Sequence, residues 1–290
     1  MKFIGALAFR CSRLFFAIVL GAAAVEPLAA QQLSPDSPRW LWFEKHKDNF
    51  DIVFLGSSRI YHGVSPKLFD RVAAEHGQRW RSFNLGVDKM RPAATLALAR
   101  RVLELQPRNL KYLFFELQTR SGPGAAKTND ESDSASPQSP QTLGWLQAAL
   151  GGSPSGIGPY GDGFNPLNKT MTEQMRPNYE RRLRSAREHT APRRMDPEMR
   201  SELSSLVREL AARNITAVFV VAPSLRAARG SGVDAPSGSL LFSFDDLDHY
   251  AALYDEANRP DAEHLNSRGA EIFTRTLAQQ FAQALRTGSR

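Results

Sequence analysis

A chain of 290 residues, 42% hydrophobic and with a formal net charge of +7, is long enough to bury one sizeable α/β core with some sequence to spare. The positive balance admits anionic partners, but the arginines are scattered or sit in polar runs such as ERRLRSAR at 180–187, without interleaved aromatics, which argues against nucleic-acid binding. The one cysteine, Cys11, lies near the N-terminus, so the chain beyond it has no thiol for a disulfide, a thiolate metal site or a nucleophile.

At the N-terminus Lys2, Arg10 and Arg13 precede the apolar run LFFAIVLGAAAV at 14–25, and PLAAQQ follows. A basic start, a short apolar centre and a small-residue exit describe an export signal. Cleavage after Ala30 fits, with Leu28 an unusual residue three positions before the cut. Counted from Phe3, the stretch also fits an uncleaved anchor. Residues 1–30 are therefore read as a signal peptide or a membrane anchor, with the body periplasmic or secreted, free or anchored.

The predicted strands follow. Asp51–Leu55 is the first, Arg81–Leu85 a short second, Lys111–Leu117 a third, Ile215–Ala222 a fourth and Leu240–Phe244 a weaker fifth. Continuous apolar runs, rather than alternation, predict strands covered on both faces. Helices are predicted between them. One starts at Pro66 behind a Ser65 cap and stops at Gly77; others cover Pro92–Leu105, Pro197–Arg213 and Ser267–Leu285. The alternation predicts a flavodoxin-like, doubly wound parallel sheet in three α/β/α layers, formed by 31–118 and 177–290. Residues 119–176, rich in Ser, Gly, Pro and Asp, read as a disordered low-complexity insertion or lid after the third strand, with a short helix at 142–150.

Ligands of open α/β sheets gather at the carboxyl ends of the strands. There the first strand runs into Gly56-Ser57-Ser58, the second into Asn84-Leu85-Gly86, and the third ends near Glu116 and Gln118. Far downstream comes DAEHLN, 261–266. A serine hydroxyl needs an imidazole to take its proton and a carboxylate to orient that imidazole. Asp261 and His264 are spaced so that the carboxylate reaches Nδ1 and leaves Nε2 for a serine. Backbone N–H groups of Ser58 and Gly86 are candidate donors to an oxyanion. Gly-Ser-Ser alone more often describes a turn or a helix cap, and Asp-x-x-His alone a solvated loop aspartate after Pro260 with a histidine capping the last helix; together, in this order at opposite ends of an α/β chain, they point to catalysis.

The set resembles the SGNH (GDSL-like) hydrolase family. There a Gly-Asp-Ser motif follows the first strand, a glycine the second, an asparagine the third, and Asp-x-x-His lies near the C-terminus. FLGSSR is similar to the first block, with Ser58 in the nucleophile position and Ser57 in place of the aspartate. NLGVD is similar to the second through Gly86, and DAEHLNSRGAEIFT to the last. The third block departs, reading ELQTRSG; Gln118 is a candidate substitute donor, backbone donors alone being the alternative. The GSSR form on an exported domain resembles a branch that transfers acyl groups on cell-envelope polymers, such as D-alanyl transfer and alginate O-acetylation proteins. The resemblance implies an extracytoplasmic serine esterase or O-acyltransferase acting on an acyl ester or envelope glycan through an acyl-enzyme. It implies no cofactor or metal, and a membrane-bound acyltransferase as partner. An inactive member that binds polysaccharide or assists envelope assembly is the alternative.

Arg59 and Asn84, beside these groups, are assigned to substrate, with pairing to an acid the other reading of Arg59. His62 reads as site wall or surface, and Glu116 as a buried partner of the site or an ordinary strand end. His249 among Asp245, Asp246 and Asp248 reads as the start of a short helix rather than a metal site.

Overall fold

A computed structural model of the chain describes residues 37–118, 161–188, 195–225 and 235–288. The apolar runs form strands β1 (Ile52–Leu55), β2 (Ser82–Asn84), β3 (Tyr112–Glu116), β4 (Thr216–Val221) and β5 (Leu240–Ser243). All pair in parallel, in the order β2-β1-β3-β4-β5. Phe54 of β1 lies opposite Asn84 on one side and Phe114 on the other. β1 is wholly buried, and β3 and β4 are buried beyond their first residue.

The helices are α1 (Pro38–His46), α2 (Ser58–Tyr61), α3 (Pro66–Glu75), α4 (Pro92–Glu104), α5 (Arg176–Glu188), α6 (Pro197–Ala211) and α7 (Ser267–Gly288). Ser65 Oγ accepts the Leu68 N–H at the start of α3, and Gly77 follows its end at φ +82°, where a side chain would be strained. Strand side chains alternate between two cores. Val53, Leu55, Phe115 and Phe219 pack with Trp40, Phe43, Ala99, Leu206 and Leu210 of α1, α4 and α6. Ile52, Phe54, Phe114 and Val218 pack with Phe69, Val72, Phe273, Leu277 and Phe281 of α3 and α7. The architecture is therefore the three-layer α/β/α sandwich, and the chain reverses its winding between β1 and β3. That switch point opens a crevice at the strands' carboxyl ends.

Three features were not read from sequence. α1 occupies a stretch with no predicted element; Ser37 Oγ caps it on the Trp40 N–H, and Trp40 and Phe43, one turn apart, are 1% and 0% exposed. α5 buries only Tyr179 and Ala186, too little for an apolar period to stand out. Residues 161–175, placed at the end of the low-complexity insertion, pack against the domain through hydrogen bonds to Asn84, Tyr61 and Ser267. Residues 119–160, with the short helix expected at 142–150, and the N-terminal segment 1–30 lie outside the described residues. Among the described residues no helix is long and apolar enough to cross a membrane.

Candidate active site

β1 ends at Gly56, where the backbone must bend tightly. A Cβ there would sit 2.4 Å from Ile60 Cγ1 and 2.7 Å from Glu116 Cβ. Ser57 and Ser58 then divide two tasks. Ser57 is the N-cap of α2: it is 6% exposed, and its Oγ accepts the Arg59 N–H. Ser58 is the first residue of α2, and its Oγ–H points to His264 Nε2 at 2.8 Å. Its own N–H belongs to the first turn, whose amides have no partner within the helix.

The imidazole arrives from the loop before α7. Its Nδ1 lies 2.9 Å from Asp261 Oδ2 and 3.0 Å from Oδ1. With Nδ1 carrying the proton to Asp261, Nε2 is left as an acceptor facing Ser58. Asp261 Oδ1 also accepts the N–H groups of Glu263 and His264, at 2.7 and 2.8 Å, which folds the Asp-x-x-His run into one turn. Burial pushes the Asp261 carboxyl up, but the hydrogen bond and charge of His264 and the two backbone N–H groups outweigh it, holding it at about 2.

Fully buried Arg259 shapes that loop. It donates to the carbonyls of Leu253 (2.7 Å), Ala262 (3.0 Å), Asp261 (3.2 Å) and Pro223 (3.4 Å). Nothing in sequence singled it out, because its acceptors are backbone carbonyls, from Pro223 onward, that only the folded loop collects. Glu116 organises the other side. Its Oε2 accepts the Ser57 N–H at 2.6 Å, and its Oε1 accepts from Arg59 Nε at 2.5 Å.

Four sequence assignments are corrected by this geometry. Arg59 pairs with Glu116 and reaches Glu263 Oε2 at 3.6 Å, so its charge is spent on carboxylates between the segments that carry Ser58 and His264 rather than on substrate. Burial would lower its pKa, but those two carboxylates raise it further. Asn84 is 0% exposed and cannot meet substrate; its Nδ2 donates to the Ile60 and Val64 carbonyls. The Gly86 N–H is occupied by Asn84 Oδ1 at 2.8 Å. Gln118 Nε2 donates to the Met90 carbonyl at 2.9 Å and lies 3.4 Å from Glu116, so its amide is already engaged. Of the three expected oxyanion donors, the Ser58 N–H is the one at the head of its helix and outside these bonds. His62 is buried at 7% exposure and lies edge-on to His264, with ring centroids 6.1 Å apart. In the His249 cluster, Asp246 Oδ1 accepts the Asp248 and His249 N–H groups, as a turn requires. Among the described residues no group of three or more metal-ligating side chains is assembled.

No family model matches the sequence, and no curated protein matches it either. Solved structures give fold-level likenesses. One is a protein from Bacteroides fragilis NCTC 9343 assigned as an acylhydrolase, at 13% identity over 84% of this chain and 95% of that one, TM-score 0.36. Another is AlinE4, an esterase of the SGNH-hydrolase family, at 17% identity over 81% of this chain and 95% of that one, TM-score 0.34. The functional reading rests on the residues themselves.

Proposed function

We propose that the chain is a serine hydrolase of the SGNH type acting on ester bonds. One observation carries this reading: Ser58 Oγ, His264 Nε2 and Nδ1, and the Asp261 carboxylate form one continuous hydrogen-bonded chain, from two segments 206 residues apart. His264 takes the Ser58 proton as Oγ attacks the acyl carbonyl. The carbonyl oxygen gains the negative charge, and the Ser58 N–H donates to it. His264 returns the proton to the departing alcohol, leaving an acyl-enzyme. Water, or a second alcohol, then gives its proton to His264 and takes the acyl group, and Ser58 recovers its proton. A fluorophosphonate should label the protein, and Ser58→Ala should abolish labelling; equal labelling of the variant would reject the nucleophile assignment.

The finer reading is an extracytoplasmic enzyme acting on an envelope glycan, working with a membrane-bound acyltransferase and passing the acyl group to a sugar hydroxyl. The signal-like segment at 1–30 and the GSSR form support it. Cell fractionation tests the location, where a cytoplasmic pool would count against it. Incubation of an acyl donor with glycan acceptors tests the transfer, where release to water alone would leave only the esterase.

A second reading keeps the fold without turnover, as a glycan-binding or assembly protein. The engaged Gly86 and Gln118 amides favour it, since losing one oxyanion donor costs about 10²–10³ in rate. Glycan binding that survives Ser58→Ala, with no hydrolysis of aryl acetates by the native chain, would support it.

A further inference from the structure

We propose that His62 is a positioning residue, which ties a strap at 162–168 to the nucleophile helix and thereby sets the distance between Ser58 and His264. This rests on the hydrolase reading of the site.

The strap touches both catalytic segments within three residues. At one end the Asn165 N–H donates to the Tyr61 carbonyl at 3.2 Å, and His62 Nδ1 lies 2.6 Å from the Asn165 carbonyl. Tyr61 is the last residue of the turn that carries Ser58, and His62 caps its end. At the other end the Leu167 carbonyl accepts the Ser267 N–H at 3.0 Å, and Ser267 Oγ donates to Asn168 Oδ1. Ser267 begins α7, three residues after His264. Pro166, between the two ends, fixes its own φ and restricts Asn165, so the span is stiff. The strap is also anchored at its start. Asp162 accepts the Asn84 and Lys67 N–H groups, each at 2.9 Å, and Gly163, at φ +85°, lies where a Cβ would come within 2.0 Å of the Asn84 carbonyl.

His62 is the side chain that closes this arrangement. A carbonyl only accepts, so Nδ1 must donate to Asn165. Its Nε2 meets Asp88 Oδ1 at 2.8 Å, in the loop after Gly86. Burial pushes the Asp88 carboxyl up, but the His62 bond, with His264 and Arg39 nearby, holds it low. One buried ring thus joins the nucleophile helix, the loop after β2 and the strap. A second tie, from Thr274 Oγ1 to the Gly63 carbonyl, secures α7 further along. The chemistry needs this precision, because a misplacement of about 1 Å between reacting groups can cost about 10²-fold in rate.

The experiment compares His62→Ala, His62→Asn and His62→Gln in the full chain. Asn places its amide N–H near the Nδ1 position and Gln near Nε2, so only Asn keeps the bond to the strap. The rate of fluorophosphonate labelling should fall about 10–100-fold in the Ala and Gln variants and recover to within about threefold in Asn. Wild-type rates in His62→Ala, or equal losses in Asn and Gln, would overturn the proposal. Amide hydrogen exchange is read on the same proteins. The Asn165 and Ser267 amides should exchange at least about tenfold faster in the Ala variant, and unchanged exchange would overturn the brace even if the native chain takes no probe. A native chain that takes no probe, with faster exchange in His62→Ala, would count against the hydrolase reading and leave the brace supported.

Discussion

Asp261 meets two opposing demands: it is partly buried, yet it must stay ionised to orient an imidazole. Four hydrogen bonds from two backbone N–H groups and one ring nitrogen resolve the conflict and hold it at about 2. Because folding lowers this pKa, Asp261 contributes stability that is present above about pH 4 and lost as the pH falls towards 2. Its carboxylate is therefore ionised throughout the neutral range. Asp261→Asn should free the imidazole to adopt the wrong tautomer and lower kcat on an aryl ester by about 10⁴, with KM little changed. Steady-state kinetics check this, and a loss below tenfold would remove Asp261 as the residue that orients His264. Both readings of the Gly-Ser-Ser turn apply, one to each serine. Two adjacent hydroxyls in sequence cannot tell which one caps and which one faces the imidazole; the φ/ψ of the turn decides.

Between elements, two contacts make quantitative predictions. Asp70 on α3 accepts the Ser82 N–H and hydroxyl at the start of β2. Burial pushes its pKa up to about 6 against those hydrogen bonds. A raised folded pKa gives stability that is complete below the unfolded value and is lost as the pH rises through about 6. Asp70 should therefore raise the Tm as the pH drops from 8 towards 5, by the equivalent of about 1 kcal/mol once partial exposure is allowed for. Asp70→Asn should flatten that slope, and an unchanged slope in the variant would assign it elsewhere. On α7, Phe281 is 0% exposed and its ring meets those of Phe69, Tyr112, Phe114 and Phe242. Phe281→Ala should cost about 3–5 kcal/mol in denaturant unfolding. The stripe that predicts this helix is plain in sequence, because Phe273, Leu277 and Phe281 recur every four residues. α5 shows the converse, since a helix with two buried residues among arginines carries little period to detect.

For the whole molecule, stability falls to packing on the two faces of one sheet, since no thiol follows Cys11. A protein starting at Gln31 should keep its Tm within about 1 °C when reductant is added, where loss of a disulfide would cost about 2–5 kcal/mol. Calorimetry with and without reductant checks it. The chain alone determined the five strands and the helices α3, α4, α6 and α7, because buried runs and caps are local patterns, and it marked Ser58, Asp261 and His264 as candidates through spaced motifs. Tertiary structure decided which polar groups remain for chemistry. Asn84, Gly86, Gln118 and Arg59 carry the right atoms in the right neighbourhood, yet each is engaged by a partner. The strap from 162 was hidden in a polar insertion for the same reason: a buried donor must be matched by whichever acceptor folding brings within about 3 Å, and sequence order does not say which that is.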